Sequence, residues 1–91
     1  VLSIFGMAAM KIKIRYFASL REAMGTSQEE LDTQAVTVGQ LRDQLLGMGE
    51  KYQCLQRDQA VRMALNQVMV DESAALLENA ELAFFPPVTG G

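Results

Sequence analysis

The final segment, Pro86-Pro87-Val88-Thr89-Gly90-Gly91, has no ionisable side chain, so its terminal carboxylate is its only charged group. Glycine has no Cβ, and Gly90-Gly91 can therefore pass through a narrow channel and leave the Gly91 carboxylate open to a partner's reagent. The two prolines restrict their own backbone and the preceding residue, which directs the segment away from the fold. Fully extended, it reaches on the order of 20 Å. These residues predict a tail that reacts inside a partner's pocket.

A flexible chain end is the alternative interpretation of this segment. Chain termini are often disordered, and they tolerate glycine. At an average glycine usage of about 7%, two terminal glycines occur by chance in roughly 0.5% of chains. From the residues alone, a functional tail and a flexible end both stay open.

Composition excludes several classes of function. A chain of 91 residues supports one core, and a net charge of −3 argues against a protein that holds nucleic acid by charge. There is no histidine, and Cys54 is the only cysteine, so neither an internal disulfide nor a metal site is predicted. No apolar run approaches the roughly 20 residues of a membrane span, and residues 1–9 lack the basic start of a secretory signal. The expected location is the cytoplasm, with no membrane partner.

Alternating polar and apolar residues predict the strands that lead to the tail. Lys11 to Tyr16 alternates with period two, which puts Ile12, Ile14 and Tyr16 on one face of a sheet. Further strands are predicted at Glu29–Thr33, in a hairpin of 62–65 and 68–70 around Asn66-Gln67, and at 81–85, where Pro86-Pro87 stop the last strand.

One main helix is predicted after Thr37, because Thr37-Val38-Gly39-Gln40 fits a capping box. Val38, Leu41, Leu45 and Met48 form its apolar stripe. Arg42, Asp43 and Gln44 face away from the centre of that stripe, and Gly47 and Gly49 end the helix. Short helical turns are expected at Ser19–Met24, before Gly25, and at Tyr52–Arg57. The order of elements predicts an α+β domain over 10–85, followed by a tail over 86–91. Residues 1–9 are interpreted as an N-terminal extension or a cloning leftover.

The closing sequence Phe84-Phe85-Pro86-Pro87-Val88-Thr89-Gly90-Gly91 resembles that of the molybdopterin synthase small-subunit family. Upstream, Ile14-Arg15-Tyr16-Phe17-Ala18 followed by Leu20-Arg21-Glu22, Thr37-Val38 before Leu41-Arg42, and Ala64-Leu65-Asn66-Gln67 are similar to the same family. The resemblance spans residues 10–91 and is faint between 48 and 59.

This resemblance implies a ubiquitin-like β-grasp fold with a mixed sheet, and a sulfur-carrier cycle centred on Gly91. An E1-like adenylyltransferase would use ATP and magnesium to adenylate the Gly91 carboxylate, and a sulfur donor protein would convert it to a thiocarboxylate. The tail would then give sulfur to cyclic pyranopterin monophosphate in the large synthase subunit, within a heterotetramer. With no histidine and no nucleophile–base pair, the chain itself is expected to bind no cofactor and to have no independent catalytic apparatus.

The tail and Arg21 are the predicted partner contacts. The set is Phe84, Phe85, Pro86, Pro87, Val88, Thr89 and Arg21. In a regular strand Phe84 and Phe85 point to opposite faces, so one is expected in the core and the other exposed as a docking anchor. Arg21 matches a family position and is expected to brace the tail or the partner; a surface ion pair is the alternative.

Other residues have simpler interpretations. Cys54 is expected to be a buried or half-buried small hydrophobe. Met63 and Met69 are expected either to fill the core or to form an adaptable interface, with the core favoured. Lys11, Lys13 and Arg15 share a strand face that is either solvated or contacts an acidic partner.

Two other functions stay open. One is a different β-grasp carrier or modifier, such as a thiazole-synthesis sulfur carrier or a ubiquitin-like tag. The other is a binding module whose tail does no chemistry.

Overall fold

A five-stranded mixed sheet organises the chain in the computed structural model, which describes residues 9–87. The strands are β1 (Met10–Tyr16), β2 (Gln28–Thr33), β3 (Arg62–Leu65), β4 (Val68–Val70) and β5 (Glu81–Phe85), and the helices are α1 (Ser19–Met24), α2 (Val38–Leu46) and two 3₁₀ helices, Glu50–Leu55 and Arg57–Gln59. The order across the sheet is β2-β1-β5-β3-β4. The predictions for residues 1–8 and 88–91 lie outside the described residues.

Strand β5 lies at the centre of the sheet, parallel to β1 and antiparallel to β3. In this register Ile14 pairs with Leu82 and Tyr16 with Phe84. The side chains of all four residues are buried on one face, where they form a core with apolar residues of α2. The predicted mixed sheet packed on one main helix is therefore confirmed.

The start of α2 follows the predicted capping pattern with one shift. Thr37 Oγ1 accepts the backbone N–H of Gln40 at 3.2 Å. Gln40 Oε1 accepts the N–H of Val36 at 2.8 Å, one residue before the cap. The helix ends at Leu46 and is capped by Gly47. Met48 lies beyond this end with 48% of its surface exposed, so its predicted place in the apolar stripe was wrong.

Arg42, which was predicted to face away from the centre of the apolar stripe, is nevertheless buried, with only 3% of its surface exposed. The first 3₁₀ helix packs against α2, and its final carbonyls need donors. Arg42 Nε donates to Leu55 O at 2.6 Å and Nη2 donates to Gln56 O at 3.0 Å. Nη1 pairs with Glu72 at 3.3 Å. The buried guanidinium thus connects α2, the 3₁₀ helix and the segment before β5.

The carboxylate of Glu29, on β2, lies between two tyrosines. Because one of them, Tyr52, belongs to the first 3₁₀ helix, this contact fixes that helix to the sheet. Tyr16 donates its hydroxyl to Glu29 Oε2 at 2.6 Å, and Tyr52 donates to the same oxygen at 3.0 Å. Burial, and then the Glu29 carboxylate, raises the pKa of both tyrosines above its ordinary value. Both hydroxyls therefore stay protonated at neutral pH and remain hydrogen-bond donors.

We expect Arg42→Met to lower the free energy of unfolding by about 3 kcal/mol, because it leaves the buried carbonyl of Leu55 and the half-buried carbonyl of Gln56 without their donor. Arg57→Met is the matched control. Arg57 also pairs with Glu72, at 2.6 Å, but its side chain is 45% exposed, and its loss should cost at most about 1 kcal/mol. Urea unfolding of both variants measures the difference. Equal losses would contradict the role of Arg42 as a buried connection.

Candidate functional site

The base of the tail is fixed by the end of β5. Phe84 is fully buried and stacks on Tyr16 with ring centroids 6.1 Å apart. Its carbonyl accepts the N–H of Phe17 at 3.2 Å. Pro86 and Pro87 follow directly, the first half-buried and the second exposed. The roles predicted for Val88, Thr89, Gly90 and Gly91 fall outside the described residues, so they stay predictions.

Phe85 points to the opposite face of the sheet, which no helix within residues 9–87 covers. Its ring stacks on Phe17 with centroids 4.8 Å apart and planes 5° from parallel. The predicted division of the aromatic pair between core and surface is confirmed. Phe84 is the core member, so the partner contact predicted for its side chain was wrong. Phe85 remains available as an anchor.

Phe17 was not predicted as part of the site. It lies just after β1, and the next residue, Ala18, has a left-handed φ of 55°, a conformation that costs a non-glycine residue about 1–3 kcal/mol. This turn separates Phe17, on the open face, from α1, which starts at Ser19 on the other side. Alternation from the buried Tyr16 was the one available signal, because it points the next side chain to the opposite face.

A shallow hollow lies beside the aromatic pair. Its floor is formed by Ala64 and Ala83, which are paired across β3 and β5, and Phe85 and Met69 are among its walls. The hollow has a volume of about 250 Å³, which is below the range of roughly 300–1,000 Å³ typical of small-molecule sites. Its size suits a side chain of a partner protein.

The core role predicted for Met69 was wrong, and the one predicted for Met63 is confirmed. Met69 is 56% exposed, whereas Met63 is buried. Met69 pairs with Ala64 on the edge strand β4, so its side chain points to the open face of the sheet. Met69, Phe85 and Phe17 therefore form one apolar surface, which we call the open-face patch.

Charged residues border the open-face patch. The guanidinium of Arg15 lies 5.1 Å from the ring centre of Phe17, and its Nη1 pairs with Glu81 at 3.2 Å. Farther along β1, Lys11 and Lys13 lie opposite Asp32 and Glu30 of β2. Acidic residues of the neighbouring strand thus lie opposite these two lysines. Contact of Lys11, Lys13 and Arg15 with an acidic protein stays a prediction.

Cys54 lies in a cleft below the tail base. Its thiol donates to Lys51 O at 3.4 Å and lies 3.7 Å from the sulfur of Met24. Burial raises the pKa of this thiol above its ordinary value, which lowers its thiolate fraction at neutral pH. Its interpretation as a half-buried small residue is confirmed. Arg21 is exposed on α1, and its partner contact stays a prediction.

Residues 9–87 contain neither a metal-binding cluster nor a membrane-spanning helix. No group of three or more histidine, cysteine, aspartate or glutamate side chains in this range could hold a metal ion. Within the same range, no helix has the length and apolar character needed to cross a bilayer.

Residues 14–91 match the ThiS family. The chain belongs to this family. Over 80 residues it is 36% identical to the molybdopterin synthase sulfur carrier subunit of Escherichia coli, which covers 88% of this chain and 99% of the relative. It is 43% identical over 86 residues to the protein of the same name from Mycobacterium tuberculosis, covering 90% and 99%. The identification with the molybdopterin synthase small-subunit family is confirmed.

Solved structures agree with the fold of this ThiS-family member. A putative molybdopterin converting factor subunit 1 from Pyrococcus furiosus superposes with a TM-score of 0.72 at 27% identity, covering 87% of this chain and 99% of that one. Subunit 1 in a complex of subunits 1 and 2 of the molybdopterin-converting factor from Helicobacter pylori has a TM-score of 0.61 at 25% identity, covering 90% and 100%. The predicted ubiquitin-like β-grasp fold is confirmed.

The two neighbouring phenylalanines provide a direct test of how the tail base is supported. We expect Phe84→Ala to lower the free energy of unfolding by about 3–5 kcal/mol, because it empties a fully buried site. Phe85→Ala, on the open face, should cost about 1 kcal/mol. Thermal and urea unfolding compare the pair. A larger loss for Phe85→Ala would reverse the assignment of core and surface.

Proposed function

We propose that this chain is the sulfur carrier subunit of a molybdopterin synthase and that the Gly91 carboxylate is the group that carries the sulfur. Membership in the ThiS family and two curated relatives of that name support the proposal. The observation that carries it is the position of β5. The strand that ends at the tail is the central one of the sheet, held by β1 on one side and β3 on the other.

A tail on a central strand suits a carrier. The body of the protein fixes the direction in which the chain leaves the sheet, while the uncharged residues beyond Pro87 can enter a pocket without desolvating a charged side chain. In this proposal the carrier places the reacting carboxylate in the partner's pocket, and the partner provides the catalytic groups.

The proposed cycle has two steps at Gly91. An E1-like enzyme, with ATP as its own substrate and magnesium as its own cofactor, joins a carboxylate oxygen to AMP and releases pyrophosphate. Sulfide-level sulfur that a donor protein has released then attacks the acyl carbon, AMP leaves, and Gly91 carries a thiocarboxylate. In the synthase, the large subunit takes the loaded tail and the sulfur passes to cyclic pyranopterin monophosphate. Because the cycle consumes ATP, we assign it to the cytoplasm.

The proposed contact with the large subunit is the open-face patch. The related Helicobacter pylori protein was solved as a complex of subunits 1 and 2, which supports an equivalent partner here. Phe17, Phe85 and Met69 surround a hollow of side-chain size beside the tail base. An apolar anchor of the partner, with a polar group facing Arg15, fits this surface. Two carriers on a dimer of large subunits would form the heterotetramer.

Loading of Gly91 is the first experiment. After incubation with an E1-like enzyme, ATP and a sulfur donor, we expect the intact mass to rise by the difference between sulfur and oxygen. A chain that lacks Gly91 is the control and should not change. If the full chain is folded and the E1-like enzyme is active, an unchanged mass would contradict the thiocarboxylate mechanism.

The docking surface is tested by two exposed apolar residues. Met69 and Leu77 are 56% and 58% exposed, but Leu77 precedes β5 and lies at the end of that strand away from the tail. We expect Met69→Glu to weaken binding of the large subunit about tenfold or more, because it puts a charge in an apolar contact. Leu77→Glu should bind like the unchanged chain. Calorimetry measures both, and equal affinities for the two variants would rule out the open-face patch as the contact.

A further inference from the structure

A second surface flanks the tail on the helix side of the sheet. It is a cleft of about 360 Å³ below Pro86 and Pro87, and its other walls include Leu20, Ala23, Cys54 and Gln59. We propose that the large synthase subunit inserts an uncharged apolar side chain into this cleft, which we call the tail-base cleft, when it takes the tail. The inference rests on the proposed function and adds a contact on the opposite side of the sheet from the open-face patch.

The chain beyond Pro87 is short, so the partner must approach the tail base closely on both sides of the sheet. Four residues follow Pro87, and even when fully extended they reach only about 14 Å. A single helix with its side chains is about 10–12 Å thick. A partner whose pocket has walls of that thickness must therefore bring its surface down to Pro86 and Pro87 before Gly91 can react. Its pocket mouth then covers the tail-base cleft as well as the open-face patch.

Backbone pairing with a partner strand is weakened at the tail base. Neither Pro86 nor Pro87 has an N–H group, so a strand of the partner finds no donor over these two residues. Proline-rich segments are instead recognised by side chains that pack against the rings. The two rings form one wall of the tail-base cleft, so a side chain placed there contacts the tail and the body of the carrier together.

The chemistry of the walls selects the kind of side chain. The residues that line the cleft carry no charge, and Leu20 is buried at its wall. A charged side chain would lose its hydration here without finding an ion partner. Gln59 and Ser19 offer hydrogen bonds in addition to the apolar surface. An aliphatic or aromatic residue on a loop of the large subunit fits these properties.

Cys54 provides the test, because it is the only cysteine of the chain and lies in the cleft. We expect N-ethylmaleimide to label Cys54 in the free carrier and to do so at least about tenfold more slowly in the complex with the large subunit. The control chain carries Cys54→Ser with Asp32→Cys. Position 32 lies on the edge strand β2, opposite Lys11 at the start of β1 and away from the tail. Its labelling rate should not change in the complex.

Labelling before assembly gives an independent readout. A carrier modified at Cys54 should bind the large subunit at least about tenfold more weakly than a carrier modified at position 32. A complex in which Cys54 reacts at its free rate, or forms equally well after modification at Cys54, would overturn the tail-base contact. Gly91 loading would be unaffected by that result. Failure of the unmodified carrier to form any complex would instead overturn the proposed partner, and this inference with it.

Discussion

The central position of β5 is the constraint on which the rest of the structure depends. A terminal strand at the sheet edge would hold the tail on one side only, whereas β5 is hydrogen-bonded to β1 and β3. Its parallel pairing with β1 connects the last strand to the first regular element of the chain. Because Phe84 fills the core beneath it, movement of the tail base would require opening the core. The end of β5 therefore fixes where Pro86 and Pro87 leave the sheet.

Alternation along β5 gives the two faces of the strand different roles. Phe84 points to the core and Phe85 to the open face, while Pro86 and Pro87 line the cleft on the helix side. A partner that receives the tail thus meets apolar surface on both sides of it. This arrangement suits a carrier, which needs a recognisable body and an exposed reactive end, with the catalytic groups supplied by another protein.

Local patterns predicted most of the fold from the sequence. Ile12, Ile14 and Tyr16 alternate within one strand, and Thr37 and Gln40 lie within one helical turn. In both cases, residues close together in the sequence contain the information that predicts the element. The burial of Arg42 was not predicted, and the core position favoured for Met69 was wrong, because distant segments decide their environment: a 3₁₀ helix covers Arg42, and the order of strands leaves Met69 on an edge. Phe17 was missed because the residue it stacks on, Phe85, is distant in the sequence. The chemistry proposed at Gly91 came from family resemblance, since no pattern of spacing specifies sulfur.

Transfer of sulfur from the loaded carrier is the most direct test of the central claim. Thiocarboxylated carrier would be mixed with the large subunit and cyclic pyranopterin monophosphate, and intact mass and dithiolene formation would be followed together. A dithiolene contains two sulfur atoms, so the account predicts that two carriers return to the carboxylate for each dithiolene formed. Dithiolene formation while Gly91 keeps its sulfur would contradict it.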